Sequence, residues 1–374
     1  MRIAMIQDDW WPRTGGGPVH VKDLSVALAE QFDHTIDIYT RALEKDGQSH
    51  VNAETFAGGN VRVHRLKPST EYWNAVGRVS SLATPVPHLV TEQFDIVHGH
   101  TFLPAVPTRV GGALTDAATV FTVHGTALTS GVGRDESGLA AVKRRLERLF
   151  VLNFEYDHVI SVNTEHLDLL GGYHADVSCV PNGVDLDRFD VSVDSRDEIL
   201  FLGRLAPKKR VSDLIAAFDR LADEYPETDL VIVGTGPKRD ALQSQVKGAG
   251  LEDRVRFEGR VSDEAIPQYY RRARLFVLPS VWEGHPLTLL EAWAAEVPVI
   301  TSDVEGIAEF IDHEETGFLV PPESPAELAD AIRYGLSNPN ESESWAENAY
   351  EMVSTEYSWE GVAAQTNRIY ERIV

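Results

Sequence analysis

Residues 198–215 read EILFLGRLAPKKRVSDLI, and the order of residue types within them decides the architecture. A short apolar run gives way to a Gly-Arg loop, and then to a stretch of helical period that continues to about residue 225. A run this brief, closed by glycine, suits a strand buried on both faces. The pattern recurs downstream, where TDLVIVG, RVRFEG, RLFVLPS and VPVITS alternate with helical stretches at 239–248, 265–274 and 287–295. An earlier series lies upstream: RIAMI, TIDIYT, VRVHRL, FDIVHG, ATVFTVHG, YDHVISV and VSCVP, with helical stretches that include 20–32 and 139–153. Strand–helix alternation predicts α/β architecture with mostly parallel sheets covered on both faces. Right-handed crossovers then gather the loops that follow the strands on one edge.

A chain of 374 residues is long for one core and suits two domains. The apolar periodicity lapses in PNGVDLDRFDVSVDSRDE, so the expected organisation is a first domain over 1–183, a hinge at 184–197 and a second domain over 198–356. The last stretch, 357–374, is helical; periodicity leaves open whether it completes the second domain or crosses back to brace the first. Two such domains are expected to hold a ligand in the cleft between them.

Asp and Glu total 58 against 34 Lys plus Arg, a net charge of −24, and only eight of the cations are Lys. A field of this sign repels nucleic acid. Its simplest reading is a halophilic chain kept soluble in a salty cytosol, where screening weakens self-repulsion. No apolar run reaches the ~18–20 residues of a membrane span. The start, MRIAMIQDD, reads as a strand rather than a secretory leader, so a cytoplasmic location is expected. The lone Cys179 excludes an internal disulfide and a cysteine-based zinc site.

Against so acidic a background, positive loops stand out. Arg204 follows the strand at 198–202, and Lys209 sits at a helix start, flanked by Lys208 and Arg210. A lysine there opposes the helix dipole unless an anion compensates it. Arg forks onto phosphate and Lys adds a point charge, so Arg204 and Lys209 are candidate phosphate ligands.

In WEGHPLTLLEAWAAEVPV, Pro286 suits a first helical turn, which places Glu283 at the helix mouth and Glu291 on the helix. The first-turn N–H groups of Leu287 and Thr288 suit an anion. Glu291 lies among apolar neighbours and needs hydrogen-bond donors, which a ribose would supply.

The loop WPRTGGG precedes a helix, and its glycines allow close backbone approach to an anion or sugar, although the spacing fits neither the dinucleotide fingerprint nor a P-loop. His124 ends a first-domain strand, where it can donate to a sugar oxygen. His98 and His100 share a strand without a third ligand at a recognisable spacing, so no metal site is expected. In 139–153, Lys143, Arg144, Arg145 and Arg148 lie opposite a stripe of Val142, Leu146, Leu149 and Phe150. That face can attract an anionic lipid or phosphorylated acceptor, while the stripe is expected to pack on the first sheet.

Taken together, PRTGGG, TVHGT, PNGVD, GRLAPKK, VGTGP, EGHPLTLLEAWAAEVPVITSDVEGIAEFI and TGFLVPP resemble, in this order and spacing, the retaining glycosyltransferases of the GT4-type family with the GT-B fold. The resemblance covers essentially the whole chain. It implies two Rossmann-like, doubly wound parallel-sheet domains facing a cleft, with the final helix crossing back onto the first domain. It implies hexosyl transfer from a nucleoside diphosphate sugar, UDP- or GDP-linked, to an acceptor hydroxyl, possibly lipid-linked or on a polysaccharide, with no cofactor or metal required.

On the same resemblance, Gly16 and Gly17 lie beside the diphosphate and acceptor, Arg204 and Lys209 neutralise the diphosphate, and Glu283 holds donor-sugar hydroxyls. Glu291 takes the ribose, His124 sits by the transferring sugar, and Gly236 and Val261 belong to the nucleotide site, with the base held by backbone near 259–262. Two positions depart from the family pattern. His285-Pro286 replaces a common aromatic-Gly pair, and Glu305 stands where a second glycine is usual. The rival readings are a GT-B epimerase or phosphorylase, and a non-catalytic sugar-nucleotide regulator. Product analysis with a labelled donor separates the first, and binding without turnover the second.

Overall fold

The computed structural model describes residues 1–374 except 11–15, 46–47, 51–52, 72–73, 125–144, 190–195 and 305. The described residues form two compact units, Met1–Gly183 with Trp359–Val374, and Val184–Ser358.

In the first unit nine strands form one sheet: β1 (Arg2–Ile6), β2 (Thr35–Lys45), β3 (Gln48–His50), β4 (Glu54–Phe56), β5 (Val61–Glu71), β6 (Ile96–His100), β7 (Ala118–Val123), β8 (His158–Ser161) and β9 (Val177–Cys179). Their order is β4-β5-β2-β1-β6-β7-β8-β9, with β3 paired to β2. The interior pairs are parallel, and the short β3 and β4 add antiparallel edges. Ile3, Ala4 and Met5 of β1 are wholly buried, as covering on both faces requires. The order reverses between β1 and β6, so the loops after these strands meet at a topological switch point, where open α/β sheets take their ligands.

The helix Trp359–Ile373 belongs to this unit. It lays Trp359, Val362, Ala363, Ile369 and Tyr370 into the same apolar cluster as Val21, Leu24 and Leu28 of helix Gly16–Phe32. Gly183 lies so close beneath it that an added Cβ would fall 2.6 Å from the Trp359 ring.

The second unit has six strands: β10 (Glu198–Leu202), β11 (Asp229–Val233), β12 (Val255–Gly259), β13 (Ala273–Leu278), β14 (Val299–Ser302) and β15 (Phe318–Val320). All five pairings are parallel, in the order β12-β11-β10-β13-β14-β15. Its switch point lies between β10 and β13. This brings the loop carrying Arg204 to Lys209 beside the loop carrying Glu283, and the Val281 N–H donates to the Lys208 carbonyl at 2.9 Å.

Several local expectations are corrected. Helix Gly16–Phe32 starts four residues before the expected 20–32 stretch, so Gly16 and Gly17 lie in its first turn rather than in the loop ahead of it. Val184 and Phe189, in the stretch expected to join the domains, are buried in the core of the second unit.

Of 139–153, residues 139–144 lie outside the described residues, which removes Val142, Lys143 and Arg144. In the remainder Leu146 and Leu149 are exposed, while Glu147, Val151 and Leu152 are buried. Of the expected packing stripe, Phe150 does pack against the core that Phe121 and Val159 of the first sheet share, while Leu146 and Leu149 face away from it. A π-helical turn at Arg148–Leu152 widens the helix and rotates the face that a regular 3.6-residue period assigns to the core. Among the described residues, no helix is long and apolar enough to cross a membrane.

Candidate active site

At the switch point of the second unit, Glu283 is 5% exposed. A carboxylate so placed needs partners, and it has three: Lys209 Nζ at 2.5 Å, Lys208 Nζ at 3.7 Å and the Ser280 hydroxyl, which donates at 2.6 Å. Burial alone would push its proton affinity up, but the Lys209 and Lys208 charges and the two hydrogen bonds hold the carboxyl below its usual range. Lys208 also stands over the Trp282 ring, 4.3 Å from its centre. Lys209 lies in the single turn Pro207–Lys209 ahead of helix Val211–Asp219, and Arg210 links the two in a left-handed conformation. The anion that compensates this lysine is thus supplied by the chain itself.

Behind Glu283 the chain enters helix Leu287–Ala294 through Pro286, and the Leu289 N–H returns to the Pro286 carbonyl at 3.0 Å. Leu287 and Thr288 occupy the first turn, where the Thr288 hydroxyl oxygen is buried without a hydrogen bond among the described residues. Glu291, one turn on, is half-buried, and its Oε2 lies 2.9 Å from the Tyr270 hydroxyl. That hydroxyl also lies 3.1 Å from the Thr288 carbonyl, and its single proton serves one acceptor at a time. Gly306, with φ of 78°, lets the β14 loop abut the Glu283 loop: a Cβ there would fall 2.2 Å from the Glu283 carbonyl oxygen. Glu305 lies outside the described residues.

Arg204 is exposed on the loop after β10, and its side chain makes no hydrogen bond or ion pair among the described residues. Gly236 packs its backbone on that loop, since a Cβ there would meet the Leu205 carbonyl oxygen at 2.4 Å. Val261 is half-buried against the core, two residues after Gly259, whose carbonyl accepts from the Gly234 N–H at 2.7 Å. The structure therefore joins Lys209 to Glu283 directly and sets the Gly236 turn against the Arg204 loop.

In the first unit, Gly17 stands so near the end of β1 that a Cβ would lie 3.0 Å from Gln7 Nε2. His124, just past β7, is half-buried and lies 3.2 Å through Nε2 from His100 Nδ1. His20 packs edge-on against His124, with ring centres 4.5 Å apart. His20, His100 and His124 each bring a ring nitrogen within 4.8 Å of the others, a grouping that the sequence spacing of His98 and His100 does not reveal. His98 is not part of this group; its nitrogens meet the Tyr370 hydroxyl at 2.6 Å and Thr122 Oγ1 at 2.7 Å. Sequence spacing could not find the cluster, because its members lie 80 and 24 residues apart on a helix, a strand and the residue just past another strand. Ser280 and Tyr270, which hold the two glutamates, carry no sequence signal either.

Comparison with known proteins gives this geometry a lineage. The family model described as Glycosyltransferase Family 4 matches residues 14–188, and that of Glycosyl transferases group 1 matches residues 185–352. A glycogen synthase of Mycobacterium tuberculosis is 29% identical over 99% of this chain and 94% of its own length. Among solved structures, sucrose-phosphate synthase from Thermosynechococcus elongatus superimposes with a TM-score of 0.85 at 24% identity, over 99% of this chain and 98% of that one. Anabaena HepE, solved in complex with UDP-glucose, gives 0.77 at 19% identity over the full length of both chains. With both halves matched in sequence and the fold shared from end to end, the chain belongs to the GT4-type glycosyltransferases of GT-B fold, enzymes that transfer hexosyl groups.

Proposed function

We propose that the enzyme transfers a hexose from a UDP- or GDP-sugar to an acceptor hydroxyl with retention of anomeric configuration, and without a divalent ion in the transfer step. The observation that carries this reading is the buried Glu283 with Lys209 and Lys208 against it, at the switch point where an α/β sheet takes a nucleotide. Arg204 and Lys209 face the diphosphate, Glu283 holds hydroxyls of the transferring sugar, and Glu291, steadied by Tyr270, takes the ribose. Leu287 and Thr288 offer first-turn N–H groups to phosphate, Gly236 gives the nucleotide close access, and the backbone around Val261 meets the base.

As the bond from the anomeric carbon to the diphosphate oxygen breaks, that oxygen gains negative charge, which the fixed cations stabilise. The acceptor oxygen bonds to the anomeric carbon on the face the diphosphate leaves. The acceptor proton passes to a donor phosphate oxygen, and diphosphate departs as nucleoside diphosphate. His124 and the Gly16-Gly17 turn serve the sugar and acceptor side. A nucleotide sugar as donor accords with HepE, whose structure holds UDP-glucose. A lipid-linked acceptor accords with Arg145 and Arg148 beside the exposed Leu146 and Leu149. The acidic composition accords with life in high salt, and with a cytoplasmic enzyme that touches a membrane only peripherally.

The test is thermal protection by a panel of UDP- and GDP-sugars, followed by transfer from the protecting donor in EDTA. One donor should raise the unfolding temperature and yield an α-linked product from an α-linked donor. Absence of protection by every nucleotide sugar at millimolar concentration overturns the donor assignment. Activity lost in EDTA and restored by a divalent ion overturns the metal-free step.

A further inference from the structure

A satisfied core histidine has a recognisable form in this protein, and His98 displays it, with one hydroxyl on each ring nitrogen. Its neighbour on β6, His100, differs. It is wholly buried, and its Nε2 has no hydrogen bond among the described residues. Its Nδ1 lies 3.2 Å from His124 Nε2. Two nitrogens bound tetrahedrally to one zinc ion at 2.0–2.1 Å stand about 3.3–3.4 Å apart, so this pair already has the spacing of two ligands.

His20 supplies a third nitrogen from helix Gly16–Phe32. Its Nδ1 lies 2.8 Å from the Asn182 amide oxygen, which only accepts, so Nδ1 carries the proton and Nε2 keeps its lone pair. That is the outer hydrogen bond by which metal-binding histidines have their tautomer and orientation fixed. The three ligand atoms lie within 4.8 Å of one another. Bringing the widest pair to about 3.4 Å takes at most about 1.4 Å of movement, within the reach of side-chain rotation.

We propose that His20, His100 and His124 form a three-nitrogen binding site for Zn²⁺, with a water molecule in the fourth position. A neutral imidazole offers one ring nitrogen's lone pair to a metal, and three such nitrogens converge here. A set of imidazoles without a carboxylate favours zinc over the oxygen-seeking magnesium and calcium. The ion would tie helix Gly16–Phe32, β6 and the end of β7 together at the switch-point edge of the first unit. The role assigned to the ion is structural, fixing the His124 ring that the proposed transfer sets beside the sugar, and the transfer step is not routed through the ion.

The test uses the full chain stripped with a chelator and then titrated with Zn²⁺ by calorimetry, and with Co²⁺ by visible absorption. One ion per chain should bind, Co²⁺ should give the intense absorption of a tetrahedral site, and Zn²⁺ should raise the unfolding temperature. His100→Gln and the partly exposed His124→Ala should each weaken binding by at least about tenfold, and His313→Gln, an exposed histidine of the other unit, should not. Circular dichroism on the stripped variants verifies that each is folded, and the two replacements at different burial keep the comparison open if one is not. Absence of stoichiometric Zn²⁺ binding, or binding that persists undiminished in both variants, overturns the site. No donor or acceptor enters these measurements, so their outcome is independent of the proposed transfer reaction.

Discussion

Glu283 and Glu291 are eight residues apart, yet their surroundings assign them different work. Glu283 is gripped by two lysines and a serine, whereas Glu291 accepts from the Tyr270 hydroxyl. A hydrogen bond to a charged group contributes about 1.5–3 kcal/mol. Glu283→Gln should therefore slow turnover roughly ten- to a hundredfold at saturating donor. It should also lower the stability of the free protein by about 3–5 kcal/mol, because Lys209 is left buried beside an amide. Glu291→Gln should instead raise the donor dissociation constant roughly tenfold or more and leave saturated turnover nearly intact. Isothermal titration with donor and steady-state kinetics on both variants check the split; unchanged donor affinity in Glu291→Gln contradicts the ribose role. The helix entry at Pro286 was legible because proline restricts its own dihedral and lacks an N–H. The Lys209–Glu283 pair was not, because nothing local to either segment records that β10 and β13 are neighbours.

Elements were legible in proportion to their burial and length. Central strands such as β1 and β10 are continuous apolar runs because helices cover both their faces, and they stand out in the sequence. β3, β4 and β15 have three residues each, too few to show a period. The turn at Arg148–Leu152 defeats periodic reading because its own period is not 3.6. The final helix, Trp359–Ile373, could be read as a helix but not assigned to a unit, since its partners, from Val21 to Gly183, lie well over a hundred residues upstream. Its anchor is Trp359, 6% exposed, against Gly183 and the His20 ring. Trp359→Ala should cost about 3–5 kcal/mol. The loss should fall on the first unit alone, so hydrogen exchange should accelerate in Met1–Gly183 and hold steady in Val184–Ser358. Equal acceleration in both units would contradict the placement of this helix.

At the scale of the whole molecule, two titrations separate buried histidines from surface charge. His20, His98, His100 and His124 are held neutral by burial, with His20 at about 4. An unfolded histidine titrates near 6.5, so between about 6.5 and 4 the unfolded chain binds more protons than the folded one. Stability therefore falls as pH drops through that window, by about 1.4 kcal/mol per pH unit for each such histidine. Denaturant midpoints should be level from pH 8 to about 7 and decline steeply below 6.5, and a level profile down to pH 5 would contradict the neutral cluster. Salt acts on a different set of groups. The net charge of −24 comes from 58 acids set against 34 basic residues, so carboxylates outnumber cations and repel one another across the surface. That repulsion weakens as the Debye length shrinks from about 10 Å at 0.1 M to about 3 Å at 1 M. The Lys209–Glu283 pair is shielded from salt by burial and should change little over the same range. The unfolding temperature should thus rise steadily with KCl into the molar range at pH 7.5. KCl and NaCl should act alike if screening is the cause. A rise that saturates at millimolar salt would instead indicate a specific ion site, and no rise at all would mean that the acidic surface does not limit stability.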